Sequence, residues 1–148
     1  MTYMFRYATL FNQDIGSWDI SSVGSTSLGG MFDGASAFNQ NINSWDVSGI
    51  TSLGSVFKDA TSFNQPLNNW DVSNVTSLAN TFHGATSFNQ DISGWDTSKV
   101  KYLIYTFQDA TSFKQNLGSW DITSVTSMYY TFLNIDVNDP DSKQVEIH

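Results

Sequence analysis

Tryptophan recurs at positions 18, 45, 70, 95 and 120, so after one interval of 27 residues the spacing is 25 every time. Other columns keep the same register. One phenylalanine column runs Phe5, Phe32, Phe57, Phe82, Phe107, Phe132, and a second runs Phe11, Phe38, Phe63, Phe88, Phe113. Alanine recurs at 8, 35, 60, 85 and 110, and aliphatic residues at Ile15, Ile42, Leu67, Ile92, Leu117 and at Leu28, Leu53, Leu78, Leu103, Met128. A unit this short cannot bury its apolar face alone, so the units must stack, with the tryptophan, phenylalanine and aliphatic columns forming one core stripe. The tryptophans are accordingly read as core rather than as ligand platforms.

The long first interval comes from Gly24 and Ser25, inserted between Val23 and Thr26. Insertions fall in loops, so a helix is expected to begin after that point, N-capped at Thr26, Thr51, Thr76 and Thr126. Leu78 and Phe82, four apart, would share one helical face, and the Gly34, Asp59, Gly84, Asp109 column would supply a left-handed C-cap. Phe88-Asn89-Gln90-Asp91-Ile92 suits a short strand. The expected fold is an α/β repeat solenoid whose 25-residue turns each carry a short strand and a short helix, with stacked strands forming a parallel sheet. Residues 1–133 form five to six such turns, and 134–148 a C-terminal cap or tail.

Composition narrows the function. There is no cysteine, which removes disulfides, thiolate nucleophiles and cysteine metal ligands. A net charge of -8 argues against nucleic acid and anionic membranes as partners. No apolar run is long enough to insert in a membrane, and no signal peptide opens the chain.

The pattern V-T-S-L-x-x-x-F-x-G/D-A-T-S-F-N-Q-x-I/L-x-x-W-D-V/I-S, from about Met4 to Phe132, resembles the repeat of BspA-like surface proteins, typical of mycoplasma lipoproteins and other microbial surface proteins. The resemblance implies a leucine-rich-repeat-like solenoid, an extracellular or cell-surface location, and a role in adhesion or partner binding; it carries over no binding residue. Departures cluster in the fourth turn, where Lys114 replaces Asn, Thr97 replaces an aliphatic residue, and Lys101-Tyr102 replaces Thr-Ser.

Several motifs have a structural explanation. Trp-Asp pairs suggest a propeller, but blades run about 40–45 residues, which a period of 25 excludes. Asp19, Asp46, Asp71, Asp96 and Asp121 form an acidic column, read as Asx turns capped by the Ser or Thr two residues on, in preference to a row of cation sites. Gln13, Gln40, Gln65, Gln90 and Gln115 are read as an amide ladder. Asp136, Asn138, Asp139 and Asp141 weakly resemble a calcium loop, which Pro140 breaks. His83 occupies the same column as Asp33, Lys58 and Gln108, whose variety suggests exposure. No catalytic grouping stands out from the repeat, so the chain reads as non-enzymatic and cofactor-free.

The expected function is a surface module for adhesion or protein/glycan interaction. Alternatives are a structural spacer in a larger surface protein and a calcium-dependent or carbohydrate-binding module. An ice-binding face, suggested by the repeated Thr-Ser pairs, ranks last because Lys101-Tyr102 interrupts one series. The candidate patch lies on the helical side of turns four and five. There Tyr102 and Tyr105 replace small residues, Tyr129 and Tyr130 follow, and Lys99, Lys101 and Lys114 add charge. The tyrosines could equally cover the end of the stack, in which case binding would move to the sheet side at Asp14, Asn41, Asp91 and Asn116.

Both ends invite expectations. The chain enters the repeat partway through a helix, as a trimmed module would, which leaves the first turn open to end-to-end self-association. Beyond Phe132 the repeat dissolves, and the alternation of Ile135-Asp136-Val137 and Val145-Glu146-Ile147 suggests a short hairpin over the last turn.

Overall fold

The computed structural model describes residues 1–23 and 27–135. The expected α/β repeat solenoid, with its leucine-rich-repeat character, is not what forms. Among the described residues there is no helix and no strand; Ser27, Ser52, Ser77, Tyr102 and Ser127 are linked only by isolated parallel bridges. The chain runs instead as 25-residue coils of β-turns, each laid on the one before.

The segment expected to be helical shows why. In the coil around Phe82, amides three apart from their acceptors close overlapping turns: Thr81 to Leu78, His83 to Asn80, Ala85 to Phe82. The alternate amides leave the coil altogether, Leu78, Asn80, Phe82 and Gly84 donating to the carbonyls of Tyr102, Ile104, Thr106 and Gln108 in the next one at 2.8–3.0 Å. A helix would return every amide to the carbonyl four residues back. Two left-handed residues per coil prevent that, at Asn80 (φ 58) and Gly84 (φ 68) here and at equivalent positions elsewhere. Each is the third residue of a turn closed by the bond above, the position where a type II turn requires positive φ. The Gly/Asp column is therefore left-handed as a turn position and not as a helix cap. The threonines do not cap either, because the Thr76 amide and hydroxyl both donate back to the Thr51 carbonyl, at 2.8 and 3.1 Å. Thr26 and the Gly24-Ser25 insertion lie outside the described residues.

The expected strand at Phe88–Ile92 fails for a different reason. The Asn89 amide, which a strand would give to a neighbouring carbonyl, donates to the side chain of Asn64 at 2.9 Å. The same oxygen accepts from Gln90 Nε2 at 2.9 Å, and the arrangement recurs from Asn12 to Asn39 and Gln40, from Asn39 to Asn64 and Gln65, and from Asn89 to Lys114 and Gln115. The glutamine ladder is thus real but runs glutamine to asparagine rather than glutamine to glutamine. Lys114 closes it, since an ammonium cannot accept a hydrogen bond.

Inside the stack, each phenylalanine pair touches face to face at 3.9–4.3 Å between ring centroids. Successive coils repeat at 5.5–5.8 Å in the Phe5 column and 5.9–6.0 Å in the Phe11 column. Trp45, Trp70, Trp95 and Trp120 are buried, and each indole donates to the carbonyl of Ile15, Ile42, Leu67 or Ile92 in the preceding coil at 3.0–3.1 Å. Trp18 departs from the core reading: it stands on the outer rim of the first coil and is 41% exposed. Asp33 departs in the other direction. It is buried, because Arg6 of the first coil pairs with its Oδ2 at 2.9 Å.

The acidic column forms Asx turns. In each, Oδ1 accepts the amide of the Ser or Thr two residues on at 2.9–3.0 Å. Hydroxyl bonds, first, and these amide bonds hold all five carboxyls below the ordinary value of 3.8. A lowered carboxyl value in the folded state contributes stability above pH 3.8, lost as the pH falls through the lowered values. Ser48→Ala removes one of the two donors to Asp46, so an NMR titration should show the Asp46 carboxyl moving up. An unchanged titration would mean that the amide alone holds it.

Candidate functional site

The first line of the candidate patch is Tyr102. Its column holds Ser27, Ser52 and Ser77, whose hydroxyls accept the amides of Gly29, Gly54 and Ala79. A tyrosine ring cannot make that local turn, so Tyr102 keeps the main-chain bridge and points its ring outward, 44% exposed. Tyr105 and Tyr130 occupy the left-handed column, at φ 56 and 55, where other coils place Gly30, Ser55 and Asn80. Left-handed backbone is unfavourable for a bulky L residue by about 1–2 kcal/mol. The two rings stack at 5.5 Å and 6°, close to parallel. Tyr129 beside them is 71% exposed and Tyr130 58%. Next to this cluster is a depression of about 380 Å³ lined by Ile122, Val125, Thr126, Ser127, Met128 and Tyr129.

The structure brings the Tyr105–Tyr130 pair together, with Tyr102 and Tyr129 on the same coils. Lys99 reaches back to Asn74 Oδ1 at 2.7 Å, and the main chain of Lys101 is held between Thr76 and Thr126. Lys114 stands at the end of the asparagine ladder, with its amide on Asn89. On the alternative face, Asp14, Asn41, Asp91 and Asn116 each accept the amide two residues on, and Asp14 and Asn41 border a shallow polar depression of about 430 Å³.

A second aromatic cluster was not anticipated. Tyr3 and Tyr7 of the first coil are also left-handed, and their rings lie over Gly30 and Gly34, where any Cβ would collide with them. Between them the Arg6 guanidinium sits 5.0 Å from the Tyr3 ring and 4.6 Å from the Tyr7 ring, and donates to the Tyr7 hydroxyl at 3.0 Å. The signal was in the sequence: Tyr3 shares its column with Tyr105 and Tyr130, opposite a glycine.

His83 meets Asn80 Oδ1 at 3.2 Å and Asp109 Oδ2 at 3.8 Å, with the Tyr105 ring 6.2 Å away. Among the described residues no three His, Cys, Asp or Glu side chains gather as a metal site would need. Asp136, Asn138, Asp139 and Asp141 lie outside those residues, as does most of the expected terminal hairpin; Asn134, bonded to Asp109, and the buried Ile135 carry the turn pattern up to that edge. No described helix is long and apolar enough to cross a membrane.

A stack of β-turn coils held by ring columns and amide ladders, with aromatic clusters on its first and last coils, defines a class of repeat protein. The chain belongs to the family described as "Mycoplasma protein of unknown function, DUF285", which matches residues 1–75 and 26–145. No curated protein and no solved structure matches it.

Proposed function

We propose that this chain is a non-enzymatic surface-protein module that binds a protein or glycan partner through the tyrosines of its last two described coils. The observation that carries this is the Tyr105–Tyr130 pair. Glycine, serine and asparagine fill the same left-handed column in the three coils between Tyr3 and Tyr105, so a coil can form without a bulky ring there. Strained residues that the fold does not require are a mark of function. Exposed tyrosines offer broad, rigid contact area with a polar tip, suited both to sugar faces and to protein surfaces. The resemblance to BspA-like repeats supports placement on a cell surface.

The test replaces each tyrosine with the residue its own column uses in the coil of Ser77 and Asn80, as Tyr102→Ser, Tyr105→Asn and Tyr130→Asn together. Glycan-array and pull-down binding by the parent chain should fall about tenfold or more in the triple variant, while its melting temperature stays within a few degrees. Binding that survives the triple substitution would move the site off the tyrosines. A parent chain that captures nothing on either assay would favour the spacer role.

A further inference from the structure

Tyr105 and Tyr130 meet as no other described tyrosines do. Their rings lie parallel, with centroids 5.5 Å apart and planes within 6°. The main chain beneath them is fixed, since the Tyr105 and Phe107 amides donate to the Tyr129 and Thr131 carbonyls at 2.9 Å. Tyr3 and Tyr7 instead share Arg6, whose guanidinium lies over both rings and donates to the Tyr7 hydroxyl. The chain has no cysteine, so no thiol competes with these phenols for an oxidant, and Trp45, Trp70, Trp95 and Trp120 are buried.

We infer that Tyr105 and Tyr130 form an oxidative modification site, where a peroxidase using hydrogen peroxide, or another one-electron oxidant, joins the two rings as a dityrosine. Each phenol gives one electron to the oxidant and its hydroxyl proton to water. The two phenoxyl radicals then couple, forming one carbon–carbon bond between an ortho carbon of each ring. The hydrogen on each coupled carbon leaves as a proton and the oxygen of the same ring regains one, which restores two aromatic phenols. In sum, two carbon–hydrogen bonds are lost and one carbon–carbon bond is made. One hydrogen peroxide takes up the two electrons and two protons and leaves as two water molecules. Tyr105 is partly exposed, and both electrons can leave through it, because its radical draws an electron from Tyr130 across the ring contact.

Proximity decides the product. Radicals on scattered surface tyrosines must meet through collisions between molecules, whereas these two rings are already held side by side, which raises their effective concentration by orders of magnitude. Closing from stacked rings to a bond needs only rotation about each side chain's own single bonds, which rotamer changes supply. The new bond ties two successive coils and closes one coil of chain into a ring, so the unfolded chain has less freedom to gain. None of this depends on what the tyrosines bind.

The test oxidises the 148-residue chain with a light-activated ruthenium complex and persulfate, a one-electron oxidant small enough to reach any exposed phenol. Trypsin cuts after Lys101, Lys114 and Lys143, so Tyr105 and Tyr130 fall in successive peptides, 102–114 and 115–143. Mass spectrometry of the oxidised folded chain should find these two peptides joined and two hydrogens lighter than their sum. The dityrosine emission per molecule should not change with protein concentration. Tyr105→Phe and Tyr130→Phe retain the ring but cannot form a phenoxyl radical, and each should cut the yield about tenfold or more, as should unfolding the parent in urea before oxidation. Joined peptides that persist in both phenylalanine variants would assign the bond to Tyr102 or Tyr129 and overturn the inference. Emission that climbs with protein concentration alongside covalent dimers, or a yield that urea leaves unchanged, would show that the rings couple only by chance encounter and would overturn it as well.

Discussion

Phe82→Ala should destabilise the chain by about 3–5 kcal/mol, the range for a large aromatic lost from a packed core. Phe82 lies in a middle coil and touches Phe88 at 4.0 Å, Phe107 at 5.5 Å, Phe57 at 5.7 Å and Trp95 at 6.2 Å between ring centroids. Neither the ribbon of turns nor its neighbours can collapse far into the gap, because the main-chain bonds between coils fix their spacing. Phe132→Ala is the comparison. Phe132 packs on one neighbouring coil only and is not fully buried, so its loss should be clearly smaller. Urea unfolding of both variants measures the difference. Equal effects would mean that stability does not accumulate along the ring columns.

Asn64→Ala should cost about 1–3 kcal/mol through polar groups alone. One side-chain oxygen serves two donors in the next coil, the Asn89 amide and Gln90 Nε2, both at 2.9 Å. Gln90 retains the Asn64 carbonyl at 3.1 Å, so the Asn89 amide bears most of the loss. Asn64→Asp retains the acceptor and should recover most of the stability. Amide exchange reads the effect directly, because exchange at Asn89 should speed up in the alanine variant and stay slow in the aspartate one. Similar exchange in both would show that a solvent molecule replaces the ladder without penalty.

These effects rest on features that the sequence displays unevenly. The columns were legible, because burial selects the same residue types at the same station in every coil. The Asx turns were legible too, since Asp with Ser or Thr two residues on is a local motif that needs no tertiary context. The helix was misread for a physical reason. The residues that face the core in this segment are Leu78, Thr81, Phe82 and Ala85, the spacing of one face of a helix. A ribbon of overlapping turns gives the same spacing. What separates the two is the second left-handed column, and only Gly30 announces it, since Ser55, Asn80, Tyr105 and Tyr130 conceal it. The strand was misread because a side chain competes for the main-chain donor, and an asparagine column looks the same in sequence whether it decorates a strand or replaces one. In the candidate site, neighbouring tyrosines were foreseen from shared columns. The lysines were grouped with them by sequence proximity, which for Lys99 left out its bond to Asn74 in the preceding coil.

The near-absence of regular secondary structure among the described residues has a consequence for how this protein looks to an optical instrument. Far-ultraviolet circular dichroism reads repeated backbone geometry, and a fold of alternating left- and right-handed turns gives neither a helical nor a sheet signature. The folded state declares itself in the aromatic region, where parallel phenylalanine rings and the Trp95–Trp120 pair, 6.2 Å apart and 8° from parallel, couple as chromophores. Melting curves recorded in that window report the fold through its ring columns.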